Sequence, residues 1–525
     1  MGVWRFCIAA SDVRRAAGSA RDGVRVRSGL CMTSATAAVA ALLLSTTGCE
    51  RARPTSGPRL VVLYAPCTVS KQFLSPYNPT VRFTPHLQNF AKRSLVFERH
   101  QTESGQSGTA YASIFSGTQA TRHGIFSHPN RIADDVPLLT DAFARAGWDV
   151  HAWLGHQMAN AALGYARGTG EGQSVRGALR ADRPDFAKIL ERLREDPDYR
   201  ALVVTNFTVT HGPYRGAWLD DFCGAFPDQC LARNDRAAFD RSMATYRQNM
   251  RALGWDHNAT RRRLNLGRRE MRAIAAAVET TYASTVFHLD RLFGAVVEAI
   301  DESGLIGESL IAFTADHGEI LYRDNALLYW THGFQLAPEV LGVPWILFGP
   351  AAGVRAGRYE GVTRSIDIMP TLSALAGVTI DRDAEHGANL AAATRGRVEP
   401  PPLLAFSHTP LYQQRYWNRF RRYSEIAALF PTQTPERMWV AVRDGDLVMK
   451  LRARNGKRWE TPVYDLATDP AETIDIFNAA DRRHQELLRR LHAYKARIVE
   501  QARNAESTVP AKRSVELLRE LGYID

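Results

Sequence analysis

The chain has 525 residues, of which 45% are hydrophobic and 23% charged, and its formal net charge is +11. This ordinary globular composition excludes a low-complexity or fibrous chain and provides for one large domain plus a smaller one. The excess of Lys and Arg suits anionic ligands or membrane surfaces, although diffuse surface charge is the simpler explanation.

The N-terminal segment has the pattern of an export signal. Arg25 and Arg27 precede the apolar run ATAAVAALLLSTTGC, which is too short to span a bilayer comfortably. The run ends at Gly48-Cys49 and resembles a bacterial lipoprotein signal, although Thr46 stands where an aliphatic residue is usual. A plain secretory signal or an uncleaved anchor is the alternative. All three interpretations place the rest of the chain outside the cytoplasm.

Three cysteines follow this leader. Cys223 and Cys230, in FCGAFPDQC, close a short loop and predict a disulfide in an oxidising compartment. A zinc site at this pair is less favoured, because the sequence has no matching second pair. Cys67 is then left as a single thiol.

Short apolar runs predict a set of buried strands. They are RLVVLY (59–64), DVHAWL (149–154), ALVVTNF (201–207), SLIAFT (309–314) and PWILF (344–348). They are continuous rather than alternating, as expected for strands covered on both faces. Helical patterns such as TPHLQNFAKRS and VFHLDRLFGAVVEAI separate them. The alternation predicts an α/β fold with a mostly parallel sheet, in which functional residues gather at the carboxyl ends of strands.

The pattern changes after residue 400. MWVAVRDGDLVMKLRA predicts two strands joined through Asp444-Gly445, and a later helix carries Leu487, Leu488, Leu491 and Ile498 on one face. We expect a small α+β subdomain here. The predicted division is a leader (1–48), a linker (49–58), a main catalytic domain (59–430) and a C-terminal α+β subdomain with a tail (431–525).

The stretch FTADHGEI places an acid and a histidine at the predicted end of a strand. Asp316 and His317 are both ligand types for one divalent ion, provided that the backbone turns there, and Gly318 supplies that freedom. His332 follows in WTHGF. Each histidine alone is more often a surface or core residue, but the combination predicts half of a metal site.

Several segments, in a fixed order, resemble the sulfatase family of the alkaline-phosphatase superfamily. They are TPHLQNFAKRSLVF, ASIFSGTQATRHGI, SLIAFTADHGEI, THGFQLAPEVLGVPWILFGP, SIDIMPTLSALAGV and VYDLATDPAET. The fourth and fifth resemble the phosphoethanolamine-transferase branch especially. The resemblance implies an alkaline-phosphatase-like fold and an enzyme that cleaves or transfers a sulfate or phosphate ester beside one divalent metal.

The resemblance places the family's nucleophile at Ser107, in ESGQSGTAY. Sulfatases carry there a cysteine or serine oxidised to formylglycine, with Pro or Ala two residues later and Arg four residues later. Those positions hold Thr109 and Tyr111, so this maturation motif is broken. We expect an unmodified Ser107 hydroxyl to attack the ester, as a threonine does in the transferases. Thr109 is the second candidate for the nucleophile. The alternative is a Gly/Ser-rich turn that has no catalytic role.

The other half of the metal site is expected after the first strand, where the family carries one or two acids. This chain reads LVVLYAPCTVSKQ, with Cys67 in place of an acid. A thiolate beside Asp316 and His317 favours zinc over calcium, magnesium or manganese. Glu103 is an alternative source of negative charge, and a half-lost site in an inactive relative is a further alternative.

Four histidines and one arginine resemble substrate contacts of the family. His156 lies near the position of a lysine that contacts sulfate, and His211 resembles the histidine on the next loop. His332 resembles a phosphate-contacting histidine of the transferases. Arg122 and His123 follow the nucleophile and rank lower. Such groups would meet the charge on the ester oxygens.

These features together predict an exported, metal-dependent hydrolase of sulfate or phosphate esters. The alternatives are a phosphoethanolamine-type or phosphoglycerol-type transferase and a catalytically inactive binding protein on the same fold. We expect an anionic small-molecule, glycan or lipid ester as substrate and no nucleic-acid partner. The expected location is the periplasmic face of a bacterial membrane, reached through a lipid anchor.

We predict that Cys49 is lipidated in the mature protein. The Gly48-Cys49 junction and the basic segment before the apolar run motivate this expectation. Mass spectrometry of the mature N-terminus should find a diacylglyceryl group on Cys49, and the Cys49→Ala variant should lack it. An unmodified N-terminus at another residue would contradict lipidation while leaving export in place.

Overall fold

The computed structural model describes residues 57–508, apart from 128–129, 254–266, 324–329, 334, 382–386, 398–399, 401, 412–433 and 455–457. These residues belong to one compact unit, Pro54–Asp525. The leader and Cys49 lie outside the described residues.

The described chain alternates strands and helices. The strands are β1 (Leu60–Tyr64), β2 (Leu95–Gln101), β3 (Asp149–Leu154), β4 (Ser174–Val175), β5 (Ala201–Asn206), β6 (Ser309–Thr314), β7 (Trp345–Phe348), β8 (Gly357–Arg364), β9 (Leu404–His408), β10 (Val440–Asp444), β11 (Leu447–Arg454), β12 (Arg458–Glu460) and β13 (Val463–Asp465). The helices are α1 (Pro85–Lys92), α2 (Ser107–Ser116), α3 (Ala120–His123), α4 (Leu139–Arg145), α5 (Pro184–Glu195), α6 (Leu219–Ala225), α7 (Arg236–Leu253), α8 (Arg268–Glu302), α9 (Pro338–Leu341), α10 (Ile368–Leu375), α11 (Ala391–Thr394) and α12 (Arg482–Thr508).

The main sheet has eight strands in the order β4-β3-β5-β1-β6-β7-β2-β8. Every neighbouring pair is parallel except the two that involve β7, which runs antiparallel to both β6 and β2. The predicted α/β fold with a mostly parallel sheet is therefore confirmed. All five apolar runs form strands, and β2, β4 and β8 complete the sheet.

Both faces of the sheet are covered, which explains the continuous apolar runs. In β1, Leu60, Val62 and Tyr64 pack into one core with residues of α1, α5 and α8. Val61 and Leu63 point to the opposite face and pack with residues of α2, α4 and α10. Alternate residues of one strand therefore enter two separate cores. A polar residue on either face of the strand would be buried.

A second, antiparallel sheet forms in the C-terminal region, in the order β12-β11-β10-β9, with β13 also paired to β11. α12 packs on it through buried Leu487, Leu491 and Ile498. The predicted pair of strands is present, but Asp444 pairs with Leu447. The connecting turn is therefore Gly445-Asp446, and Gly445 has a φ of 62°.

The second sheet contacts the segment that leads to Ser107. The backbone N–H of His408, at the end of β9, donates to the carbonyl of Glu103 at 2.8 Å. The Ser407 hydroxyl donates to the carbonyl of Thr102 at 2.8 Å. β9 also precedes residue 431, so this sheet takes one strand from the segment that the sequence assigns to the main domain. The boundary at residue 431 stays a prediction.

The cysteines are arranged as the sequence suggests. A disulfide joins Cys223, in α6, to Cys230, whereas Cys67 is a free and buried thiol. Within the described residues, no helix combines the length and the apolar character that crossing a bilayer requires.

Candidate active site

The candidate site lies where the loops after two central strands meet. β1 and β6 are parallel neighbours in register from Leu60–Ser309 to Tyr64–Phe313, so both end at the same edge of the sheet. Cys67 follows β1 by three residues, and Asp316 follows β6 by two. The sheet topology therefore brings together two residues that are far apart in the sequence.

The Asp316 carboxylate joins these two loops. Its Oδ1 accepts the backbone N–H of Thr68 at 2.9 Å and that of His317 at 2.7 Å. Thr68 has a φ of 60°, a left-handed conformation that is strained for a β-branched residue. The second oxygen, Oδ2, is buried and accepts no hydrogen bond in the described structure. A buried carboxylate oxygen of this kind is costly unless a cation or a donor reaches it.

Gly318 allows this loop to pack against the chain before α9. Its N–H donates to the carbonyl of Val340 at 2.8 Å. A Cβ at this position would lie 2.0 Å from the carbonyl oxygen of Glu339. The glycine after the Asp-His pair is therefore required by close backbone contact.

Ser107 brings its hydroxyl to the same place. It begins α2, a helix of ten residues, and is 4% exposed. Its Oγ donates to Nε2 of His317 at 3.1 Å and lies 3.6 Å from Sγ of Cys67. The N–H groups at the start of α2 make this a favourable place for an anionic group. Thr109 is also buried in α2, but its Oγ1 makes no hydrogen bond in the described structure.

The donor atoms here fit a divalent cation. Atoms of Cys67, His156 and Asp316 all lie within 4.8 Å of one another, and the three residues are buried. The Oδ2 of Asp316 is the observation that favours a cation, because this buried carboxylate oxygen accepts no hydrogen bond in the described structure. His317 also reaches this group, since its Nε2 lies 3.4 Å from that oxygen.

The hydrogen bonds of His317 and His156 show which ring can ligate a metal ion and which can donate a hydrogen bond from Nε2. Nδ1 of His317 lies 2.9 Å from the carbonyl of Gly318 and must donate to it, which leaves an electron pair on Nε2. This carbonyl partner is typical of a metal-bound histidine. His156 is the reverse, because its Nδ1 accepts the N–H of Met158 at 3.0 Å, so Nε2 of the neutral ring carries the proton. Although His156 is the histidine in the group of donor atoms within 4.8 Å of one another, His317 is the better ligand.

The protonation of the thiol depends on a cation. Burial, followed by the charge of Asp316, raises the pKa of Cys67 well above its ordinary value. Burial also opposes ionisation of Asp316, but the His317 and His156 rings and two backbone N–H groups hold its pKa below the usual value. Cys67 is therefore a neutral thiol next to a carboxylate until a cation binds and stabilises the thiolate.

Two further histidines and an acid line the same site. The ring of His332 lies 4.2 Å from that of His317 and 5.1 Å from that of His211. Burial lowers the pKa of both His332 and His211 to about 4. Glu319 Oε1 lies 3.3 Å from Nδ1 of His332, and Oε2 accepts the hydroxyl of Tyr214 at 2.7 Å. Burial raises the pKa of Glu319 to about 7.

The sequence alone does not predict a role for Glu319 or Tyr214. The signal for Glu319 was its place in FTADHGEI, two residues after His317. No pattern in the sequence links it to Tyr214, which lies on a different loop 105 residues away. The contact exists because the loops after β5 and β6 meet at the same edge of the sheet.

The structure places Arg122, His123 and Glu103 outside this group. Arg122 is at the surface, where it donates to the carbonyl of Asp135. His123 lies 3.2 Å from the hydroxyl of Ser113, which donates to Glu103 at 3.0 Å. Ser113 is six residues after Ser107 in α2, about 9 Å along the helix, so this is a separate buried network. Neither Arg122 nor His123 takes part in the site that the resemblance suggested, and Glu103 does not supply its missing charge.

The comparison with family models is decisive for classification. The sulfatase family model matches residues 68–378, well over half of the chain. The chain belongs to the sulfatase family. The matched region contains every residue of the candidate site except Cys67, which directly precedes it.

Relatives of this sulfatase-family chain have diverged far. Arylsulfatase A of Bos taurus is 26% identical over 212 residues, which cover 38% of this chain and 39% of that protein. The choline-sulfatase of Rhizobium meliloti is 23% identical over 197 residues, covering 37% of this chain and 32% of that protein. The chain thus matches only about a third to two fifths of the length of these curated relatives.

Solved structures share the fold over almost the whole described chain. A 2-O GAG sulfatase superposes with a TM-score of 0.59 at 17% identity, covering 86% of this chain and 94% of that one. The phosphonate monoester hydrolase of Agrobacterium radiobacter superposes with a TM-score of 0.58 at 17% identity, covering 85% of this chain and 96% of that one. These similarities establish the alkaline-phosphatase-like architecture that the sequence predicts.

We expect Gly318→Ala to destabilise the protein by at least about 2 kcal/mol, because the added Cβ collides with a backbone carbonyl that cannot retreat. Gly307→Ala is the matched control, since a Cβ there meets nothing within 4 Å. Chemical denaturation of both variants measures the difference. Equal unfolding free energies of the two variants would show that the chain before α9 can move aside for the added Cβ without loss of stability.

Proposed function

We propose that the protein hydrolyses sulfate esters, or alternatively phosphate or phosphonate monoesters, through a covalent intermediate on Ser107. One observation carries this proposal. The Ser107 hydroxyl stands at the start of a buried helix and bonds to Nε2 of His317, which also lies 3.4 Å from the Asp316 oxygen that has no hydrogen-bond partner. A nucleophile, a cation site and an anion-binding helix end are thus combined in one place.

The side chains divide the chemistry among them. Ser107 Oγ is placed to attack sulfur or phosphorus, and His156 can donate its Nε2–H to a non-bridging oxygen of the ester. A divalent cation held by Asp316, His317 and Cys67 would supply Lewis acidity to the ester oxygens and the serine hydroxyl. His211 and His332 line the same site, as expected for residues that contact the substrate.

Zinc is the metal that this donor set favours. A first-strand acid would give an oxygen-rich site suited to calcium, magnesium or manganese. Cys67 replaces it with sulfur, and a thiolate prefers a softer ion with low coordination number. The burial of Cys67 supports this proposal, because burial opposes ionisation of the thiol and a bound cation would stabilise the thiolate.

The same proposal places the protein outside the cytoplasm, attached to a membrane through lipidated Cys49. The disulfide between Cys223 and Cys230 supports an oxidising compartment. The substrate class is an anionic ester, with sulfated glycans as one candidate. One solved relative of the same fold is described in complex with its substrate D-glucosamine-2-N,6-O-disulfate.

Two other functions remain as outcomes of the tests. A phosphoethanolamine-type or phosphoglycerol-type transferase would use the same Ser107 but pass the group to an alcohol. An inactive binding protein would keep the fold without metal or turnover. A screen of aryl sulfates, aryl phosphates and aryl phosphonates, each with and without added alcohols, distinguishes all three.

Substitution of Ser107 should abolish turnover while leaving the metal in place. We expect Ser107→Ala to lower the hydrolysis of the best aryl ester at least about 10³-fold, because the nucleophile is lost. Thr109→Val is the matched control, since it removes an unpaired hydroxyl from the same helix at constant volume. Turnover retained by Ser107→Ala, or lost only in Thr109→Val, would assign the nucleophile to another group.

Cobalt substitution tests the metal ligands without any turnover. The Co²⁺ form of the protein should show a thiolate-to-cobalt charge-transfer band in the near ultraviolet, because Cys67 Sγ is a ligand. The band should disappear in Cys67→Ser and persist in His156→Gln, whose Nε2–H does not ligate. A band that survives in Cys67→Ser contradicts the thiolate site, and one that disappears in His156→Gln contradicts the choice of His317 over His156.

A further inference from the structure

Three imidazole rings of the site share one arrangement of protons. His317 and His211 each direct Nδ1 to the carbonyl of the next residue, at 2.9 Å and 2.5 Å, and His332 directs Nδ1 to Glu319 at 3.3 Å. Because a carbonyl oxygen can only accept, Nδ1 of the first two carries the proton. These two rings therefore leave an electron pair on Nε2, and His332 does the same when Glu319 is ionised and accepts from its Nδ1.

Of the three described Nδ1 contacts, the one made by His332 is to a carboxylate. Glu319 Oε1 receives Nδ1 of His332, and Oε2 is held by the Tyr214 hydroxyl at 2.7 Å. Glu319 is itself 1% exposed, so its orientation is fixed by these two contacts. A carboxylate on Nδ1 stabilises the imidazolium that forms when Nε2 takes a proton, which a carbonyl does far less well.

His332 also has the access that a reaction with water requires. Its side chain is 21% exposed, whereas that of His317 is fully buried. His317 is in addition one of the proposed ligands of the cation, which would occupy the electron pair on its Nε2. The two rings lie 4.2 Å apart, and Nε2 of His317 lies 3.1 Å from Ser107 Oγ, so His332 belongs to the same cluster as the proposed nucleophile.

We infer that Glu319 is a positioning residue that holds His332 as the base for the second half of the reaction, in which water hydrolyses the Ser107 intermediate. The inference rests on the proposed function and deepens it. It assigns a role to the acid of FTADHGEI and gives a reason for hydrolysis rather than transfer. The side chain that takes the proton is 21% exposed, so water can reach it as the acceptor of the sulfuryl or phosphoryl group.

The step balances in atoms and charge. The water oxygen forms a bond to sulfur or phosphorus while one water proton passes to Nε2 of His332. The bond from sulfur or phosphorus to Ser107 Oγ breaks, and Oγ takes up a proton from solvent. His332 then returns its proton to solvent, so the products are inorganic sulfate or phosphate and the original serine. No oxidant, reductant or further reactant is needed.

The test is to trap the intermediate. Zinc-loaded protein is mixed rapidly with 4-nitrophenyl sulfate and, separately, with 4-nitrophenyl phosphate, whose leaving group departs without an acid. Glu319→Gln and His332→Gln should each release about one nitrophenol per protein in a burst and then turn over about 10²-fold more slowly than wild type. Intact-mass spectrometry should then find one sulfuryl or phosphoryl group, mapped to Ser107.

Matched variants make the result specific. Glu339→Gln makes the same change in a nearby acid that pairs with Arg323 at 3.3 Å, and it should neither slow turnover nor accumulate the adduct. His211→Gln should lower turnover without accumulating it. Equal zinc content in all variants would show that a slower variant has lost the hydrolysis step and not the metal site.

Three outcomes would overturn the inference. The first is a loss of burst and steady rate together in Glu319→Gln and His332→Gln, which would place them in the first step. The second is an adduct that accumulates in His211→Gln instead. The third is a wild-type protein that releases no nitrophenol, which would overturn the proposed function itself and this inference with it.

Discussion

The arrangement of the site depends on one carboxylate that belongs to two loops at once. Asp316 follows β6, yet its Oδ1 accepts the backbone N–H of Thr68, which follows β1, as well as that of His317. Hydrogen bonds to a charged group each contribute about 1.5–3 kcal/mol, enough to hold Thr68 in its strained left-handed conformation. That conformation in turn places Cys67 beside Ser107, and Oδ2 remains available for a cation.

The sequence predicts the centre of the fold well because the centre is the most constrained part. β1, β5 and β6 are buried on both faces, so each must be a nearly continuous apolar run. β8 reads GRYEGVTR and is exposed along much of its length, so it carries no such signal. The reversed direction of β7 is also invisible, because a buried strand has the same composition in either direction.

In the candidate site, too, some residues can be recognised from local sequence motifs, whereas other features depend on contacts that only the folded chain makes. Asp316, His317 and Ser107 lie in recognisable local sequences, and the structure brings them together. Arg122 and His123 follow α2 in sequence, but their described contacts are with Asp135 and Ser113. Ring tautomers lie beyond sequence reasoning altogether, because backbone partners such as the N–H of Met158 decide them. His156 and His317 thus carry the proton on opposite ring nitrogens, which their local sequences do not show.

The contact between β9 and the segment before α2 lets the C-terminal sheet support the chain that leads into the candidate site at Ser107. The carbonyls of Thr102 and Glu103 receive their donors from Ser407 and His408, so removing the second sheet would leave buried backbone oxygens unsatisfied just upstream of Ser107. Trimming the protein to the region matched by the family model, 68–378, would thus not yield a minimal catalytic fragment. The family motifs specify the chemistry, but the shortest autonomous enzyme extends well past the last of the site residues.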